Sequence, residues 1–224
     1  MRKSVLLVGL LLLLLLAAVS AFADPVAATF LRYGYGPGSW QQGFPYYAFI
    51  PGFGYKGVTQ VFCDDYEHGG SPGDPWLANI TVLGSKDLST TRFNQMPDAL
   101  TLYEEAGWLL LETQSNGINQ WKDMNYAAWH IFDPNSPLDS GAAAWLAAAE
   151  VEAGKGFPGI DFNLVDIITP VDQYNPDPLS MQEFLFINTG VGPTAPHGPA
   201  TPEPGTLVLL GTGALAVVGR KLRW

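Results

Sequence analysis

The chain has 224 residues, of which 47% are hydrophobic and 14% charged, and its formal net charge at pH 7 is −10. An acidic chain repels nucleic acid and anionic lipid, which excludes a function based on charge-driven binding to nucleic acid. The aromatic content of 12% is high for an acidic chain and predicts a packed domain rather than a disordered one.

The amino terminus has the pattern of a secretory signal peptide. Two basic residues precede an apolar stretch at 5–19, and Ala21 and Ala23 supply the small residues that a signal peptidase requires. The pattern predicts a signal peptide over 1–23, cleavage before Asp24 and export of the remaining chain.

The predicted domain spans residues 24–190 and is long enough for one sizeable core. Residues 24–200 carry six Lys and Arg against twenty Asp and Glu, a net charge near −14. The first part, 24–57, is dense in Gly, Pro and aromatic residues, which favours short strands and tight turns over helix. A polar, turn-rich stretch follows at 69–75.

Helical and strand patterns then alternate in blocks. Hydrophobic spacing and breaker residues predict strands at 58–64 and 80–83, helices at 97–112, 121–132 and 142–152, and closing strands at 162–169 and 183–189. The order of strands, then helices, then strands predicts an α+β fold, a single domain of short antiparallel strands with about three inserted helices.

Cys63 is the only cysteine, so no intramolecular disulfide can form. An oxidising envelope tends to cap an exported thiol or pair it between chains. The sequence therefore predicts that the fold either protects or uses this thiol.

The carboxyl end has three parts after the domain. A Pro/Gly/Thr linker at 191–201 leads to the box Pro202-Glu203-Pro204, an apolar run and a basic end that begins at Arg220. A helix over the apolar run would reach about 22 Å, short of the ~30 Å hydrocarbon core of a bilayer. The basic end favours a cytoplasmic position, with the domain outside.

This tail at 202–224 resembles the bacterial PEP-CTERM protein-sorting signal. The resemblance implies recognition by an exosortase-type membrane protease that removes the tail after a transient stay of the apolar helix in the membrane. It also implies a secreted or cell-surface protein of an exopolysaccharide-producing bacterium, with exopolysaccharide or surface proteins of the extracellular matrix as partners. An ordinary single-pass anchor is the alternative interpretation.

Two central segments, 61–66 and 124–132, resemble bacterial surface thioester domains. In that family an aromatic-Cys-x-Asp segment precedes a helix with Thr-Gln-x-Ala-aliphatic-Trp. The cysteine attacks the glutamine carboxamide, ammonia leaves, and the thioester later captures an amine on a target. Cys63 falls on the thiol position, and Ala127 and Trp129 fall on the family's Ala and Trp.

The position of the glutamine departs from that pattern. Asn125 stands where the glutamine should be, Met124 replaces the threonine, and Ala128 replaces the aliphatic residue. Asparagine holds its carboxamide one methylene closer to the backbone, and a misplacement of about 1 Å can reduce an intramolecular rate roughly a hundredfold. We therefore expect Cys63 and Asn125 to lie close together without a covalent bond. The aromatic spacing also predicts that Trp108, Trp129 and Phe132 are buried together.

Catalytic and metal sites have weaker support. Cys63 with His130 or His68 could compose a nucleophile and base, but such sites are recognised by geometry. The scattered histidines match no zinc spacing. Calcium is the remaining metal hypothesis, at a loop with Asp133, Asn135 and Asp139 or at Asp64, Asp65 and Glu67. The sequence thus predicts no catalytic residue, no metal and no cofactor.

The combined interpretation is an exported, non-enzymatic surface protein of the cell envelope or matrix. An adhesin-like thioester domain that bonds to a target amine is the first alternative. A cysteine-dependent envelope enzyme is the second.

Overall fold

The computed structural model of the protein describes residues 25–33, 45–54, 56–174, 177 and 180–189. These residues all belong to one compact unit, Asp24–Ala195. The predicted signal peptide, the linker at 191–201 and the sorting tail lie outside the described residues.

The described strands form a closed antiparallel barrel. They are β1 (Val26–Tyr33), β2 (Tyr46–Phe49), β3 (Val58–Cys63), β4 (Pro75–Val82), β5 (Val165–Pro170) and β6 (Phe184–Ile187). Their order around the barrel is β1-β2-β3-β6-β5-β4, and the pairing of β4 with β1 closes it. Closure leaves each of these strands with two partners and therefore removes the exposed edges of an open sheet.

Three helices lie between β4 and β5 in the chain: α1 (Ala99–Glu112), α2 (Ile118–Phe132) and α3 (Ser140–Gly154). The carboxylate of Asp139 caps α3 by accepting from the backbone N–H groups of Gly141 and Ala142. Helix α2 packs against α1, α3 and strand β3. Helix α1 contacts the barrel as well, through β6, so these two helices join the helical part of the domain to the barrel.

Buried side chains fall into two clusters. One lies between the helices and strands β3, β5 and β6, and includes Trp108 and Phe132. The other fills the barrel and includes Cys63, Phe184 and Trp129. Trp108, Trp129 and Phe132 are all buried, as predicted. The expectation that the three pack together is wrong for Trp129, which belongs to the other cluster. Helix α2 contributes side chains to both clusters, and Trp129 belongs with Tyr126 to the cluster that contains Cys63.

The predicted α+β class and the three helices are confirmed. Two local assignments were wrong. Strand β4 begins at Pro75, inside the stretch predicted as a turn, because residues 75–78 pair with β1. Residues 162–164 form a 3₁₀ turn before β5, where Asp161 accepts from the backbone of Asn163. Pairing partners and side-chain caps, which a local pattern does not reveal, decide both cases.

Candidate functional site at the end of strand β3

Strand β3 ends at Cys63, directly before two buried carboxyl groups. Cys63 pairs with Phe184 of β6, and its thiol donates to the backbone carbonyl of Asp65 at 3.2 Å. Cys63, Asp64 and Asp65 are each at most 2% exposed. We call these three residues the 63–65 segment. Its burial shields the lone thiol from the solvent.

Helix α2 brings Asn125 to this segment. The Asn125 side chain is fully buried, and its Nδ2 donates to the backbone carbonyl of Cys63 at 2.7 Å. The small neighbours Ala127 and Ala128 are also fully buried. Side chains of that size let α2 come close to the surfaces it packs against. The structure thus brings Cys63 and Asn125 into contact through the amide of one and the backbone of the other.

The surroundings of Cys63 favour the neutral thiol. Burial raises its pKa well above the usual range, and the negative charge of Asp65 raises it further. The Trp129 indole and the Asp65 backbone act in the opposite direction and more weakly. The indole N–H of Trp129 nevertheless does not reach hydrogen-bond geometry with any described acceptor. Since the thiolate is the nucleophile, this environment suppresses reactivity.

An aromatic layer lies beside the thiol. The rings of Tyr126 and Trp129 stack with centroids 5.0 Å apart, and Tyr66 packs on Trp129 at 5.2 Å. The ammonium group of Lys122 lies 4.8 Å from the centroid of Tyr126. Tyr66 is 42% exposed, whereas Trp129 and Tyr126 are buried. The layer therefore reaches from the solvent to the neighbourhood of Cys63.

Basic side chains and a backbone N–H group hold the carboxylate of Asp65 in place. Its carboxylate lies 3.1 Å from the guanidinium of Arg92 and 2.8 Å from Nδ1 of His68. The backbone N–H of Glu183 also donates to it at 3.3 Å. Arg92 in turn donates to the backbone carbonyl of Met181 at 2.8 Å. Asp65 thus joins the end of β3 to the segment that leads into β6.

Glu183 is the second buried acid and has several donors. Its carboxylate accepts from the Tyr103 hydroxyl, from the Thr169 hydroxyl and, at 2.8 Å, from the backbone N–H of Arg92. Asp64, the third acid, is fully buried and meets no donor among the described residues. We call Asp64, Asp65 and Glu183 the carboxylate cluster.

Sequence reasoning found only the two aspartates of this cluster. Arg92 and Glu183 gave no signal, because they lie in segments without a motif and meet Asp65 only through the fold. The alternation around β6 was the one available hint, since it placed Glu183 at the start of a buried strand.

The residues of the candidate catalytic and calcium sites lie in different surroundings. His68 binds Asp65, and Nδ1 of His130 is buried without a partner among the described residues. In the 133–139 stretch, Asp139 caps α3 and Asp133 accepts from the backbone of Asn135. Within the described ranges, no three His, Cys, Asp or Glu side chains converge on a place for a metal ion. The same ranges contain no helix with the length and hydropathy needed to cross a membrane.

Comparison with solved structures finds two similar chains. The N-terminal thioester domain of a surface protein from Clostridium perfringens is 15% identical, with a TM-score of 0.43, covering 72% of this chain and 97% of that one. The N-terminal domain of the Streptococcus pyogenes pilus tip adhesin Cpa is 11% identical, with a TM-score of 0.46, covering 75% and 95%. The first of these is of the family that the central segments resemble.

No curated protein matches the chain. The family model for the PEP-CTERM protein-sorting motif matches residues 200–223. This range contains the three features on which the sequence resemblance rests: the Pro202-Glu203-Pro204 box, the apolar run and the basic end from Arg220. The chain therefore carries a PEP-CTERM protein-sorting motif at its carboxyl end.

Proposed function

We propose that the chain is a non-enzymatic surface protein that an exosortase-type membrane protease sorts to the cell envelope or the extracellular matrix. The observation that carries this proposal is the PEP-CTERM motif at residues 200–223. In this scheme the signal peptide at 1–23 directs export, and the apolar run before Arg220 holds the chain briefly in the membrane. Cleavage at the box then releases the domain.

The properties of the domain support a role in matrix or surface contacts. Residues 24–200 carry a net charge near −14, which favours solubility and disfavours binding to nucleic acid. The one thiol is buried with a raised pKa, so it is protected from the capping and cross-linking that an oxidising envelope would cause. We infer that exopolysaccharide or surface proteins are the partners, by non-covalent contact.

Mapping of the chain ends tests the sorting step. The protein is produced in a host with the matching protease and in the same host without it, and the extracellular fraction is analysed by peptide mass spectrometry. With the protease, we expect chains that begin at Asp24 and lack the residues after the Pro202-Glu203-Pro204 box. Without it, the tail should stay attached in the membrane fraction. Glu203→Ala in the box should give the same membrane-bound product.

One outcome would contradict the proposal. If most of the extracellular protein in the host with the protease still contains Trp224, the tail is not a substrate. Retention of the chain in the membrane in both hosts would favour the ordinary single-pass anchor.

An adhesin-like thioester domain is the second candidate function. The contact between Asn125 and Cys63 favours it, because a carboxamide lies beside a cysteine as the chemistry requires. We rank it second because asparagine is one methylene shorter than glutamine and because the thiol is held neutral. Intact-mass measurement separates the two candidates, because a thioester lowers the mass of the chain by about 17 Da through the loss of ammonia.

A further inference from the structure

The carboxyl group of Asp64 is fully buried, and neither of its oxygens has a hydrogen-bond donor among the described residues. An ionised carboxylate can only accept hydrogen bonds, and burying one without a donor costs several kcal/mol even after relaxation. The ionised form of Asp64 therefore does not fit this place.

The neighbour of Asp64 is another carboxyl group, that of Glu183, because the antiparallel pairing of Cys63 with Phe184 sets residues 64 and 183 opposite each other and the backbone N–H of Glu183 donates to Asp65. Two carboxylates repel each other, but a carboxylic acid and a carboxylate form a strong hydrogen bond through one proton. Glu183 is the acceptor of the two, because its oxygens already receive the hydroxyl groups of Tyr103 and Thr169 and the backbone N–H of Arg92. The proton accordingly belongs to Asp64.

We propose that Asp64 and Glu183 share a single proton, as a carboxylic acid bonded to a carboxylate, and that this proton fastens the 63–65 segment to the barrel and to helix α1 as a pH-sensitive latch. Glu183 directly precedes β6, Thr169 lies in β5 and Tyr103 lies in α1. Loss of the proton places two like charges together in a dry interior. The latch then opens at the end of β3, next to Cys63.

Other charged and titratable groups also surround the pair of Asp64 and Glu183. Asp65 faces Asp64 and is itself paired with Arg92 and His68. Burial raises the pKa of Asp64 well above its usual range, and the charges of Glu183 and Asp65 raise it further. The thiol of Cys63 and the phenol of Tyr103 also face Asp64, and burial raises the pKa of each well above its usual range. Both therefore stay neutral in neutral solution.

The sign of the pH dependence follows from the raised pKa of Asp64. In the unfolded chain the group ionises near pH 4, whereas in the folded chain it keeps its proton to a higher pH. Folding in that window takes up a proton, so the stabilisation is complete below about pH 4 and falls as the pH rises through the folded-state pKa. A variant in which residue 64 cannot ionise does not lose this stabilisation as the pH rises.

Asp64→Asn tests the latch with the full chain. Its amide N–H donates to Glu183 where the acid proton did, and it carries no charge at any pH. We expect the melting temperature of the variant minus that of the wild type to increase steadily from about pH 5 to about pH 8, because only the wild type loses the stabilisation by the shared proton in that range.

Asp65→Asn is the matched control. It lies one residue on and is equally buried, but its carboxylate is paired with Arg92 and His68. We expect it to lower the melting temperature at every pH in the same series. A difference for Asp64→Asn that does not change with pH would overturn the proposal.

Infrared spectroscopy tests the proton directly. The folded wild type at neutral pH should show the carbonyl band of a protonated carboxylic acid, shifted in D₂O, and Asp64→Asn should lose this band while Asp65→Asn keeps it. This measurement decides the question on the wild type alone if the variant fails to fold. The absence of the band at neutral pH would overturn the shared proton.

Discussion

The 63–65 segment has two sides of different construction. On the side of helix α2, the amide of Asn125 meets a backbone carbonyl, and aromatic rings around Trp129 supply buried surface. On the opposite side, the carboxylate cluster is held by Arg92, by hydroxyl groups and by backbone N–H groups. The first side stabilises the fold through burial, which tolerates imprecise geometry. The second requires every partner, because an unpaired buried charge is costly.

The largest expected effect lies on the apolar side. Trp129→Ala should reduce the free energy of unfolding by about 3 to 5 kcal/mol, because it removes a buried aromatic side chain and leaves a cavity between α2 and the barrel. Chemical denaturation at neutral pH measures the loss. Tyr174→Ala is the control, because Tyr174 is 62% exposed and its replacement should change the stability by about 0.5 kcal/mol or less. An unchanged midpoint for Trp129→Ala would contradict the packing of this face.

A smaller effect is expected on the polar side. Tyr103→Phe keeps the ring but removes the hydroxyl that donates to Glu183 and accepts from the backbone N–H of Phe93. Because the acceptor is a buried charge, the free energy of unfolding should fall by about 1.5 to 3 kcal/mol.

Tyr33→Phe is the matched control for that change. It removes a hydroxyl that donates to the backbone carbonyl of Gly70 at 2.7 Å on the surface, where water replaces the lost partner. Its cost should be about 1 kcal/mol or less. Equal losses for the two variants would show that the polar side contributes no more than a surface contact does.

The contrast between the apolar and the polar side of the 63–65 segment also explains which structural features the sequence could predict. Helix α1 has apolar residues at helical spacing, α2 is stopped by Asp133-Pro134 and α3 is rich in alanine, a strong helix former, so the existence of all three followed from local patterns. The contact of Cys63 with Asn125 was accessible only through a family resemblance in two short segments. The partners of Asp65 come from residues 68, 92 and 183, and no local rule relates these positions. Closure of the barrel was also hidden, because β2 and β6 have only four residues each and the first strands lie among breakers.

The smallest expected change concerns the chemistry of Cys63. We expect the wild-type chain, which keeps the thiol and the amide separate, to show no loss of about 17 Da, the mass of the ammonia that a thioester would release. Methylamine should then add no mass, and maleimide should label the thiol only under denaturing conditions, since Cys63 is buried and its pKa is raised. Intact-mass spectrometry of the folded and denatured chain measures all three.

Asn125→Gln sharpens this prediction, because it extends the carboxamide by one methylene towards the length that the resembled family uses. If the rest of the pocket accepts it, the variant should lose about 17 Da and gain mass with methylamine, while Cys63→Ala in the same background should do neither. A deficit already present in the wild type would make the thioester adhesin the better function. A variant that folds but stays at full mass would mean that the burial of the thiol and the charge of Asp65, which keep it protonated, block the reaction even at the correct reach.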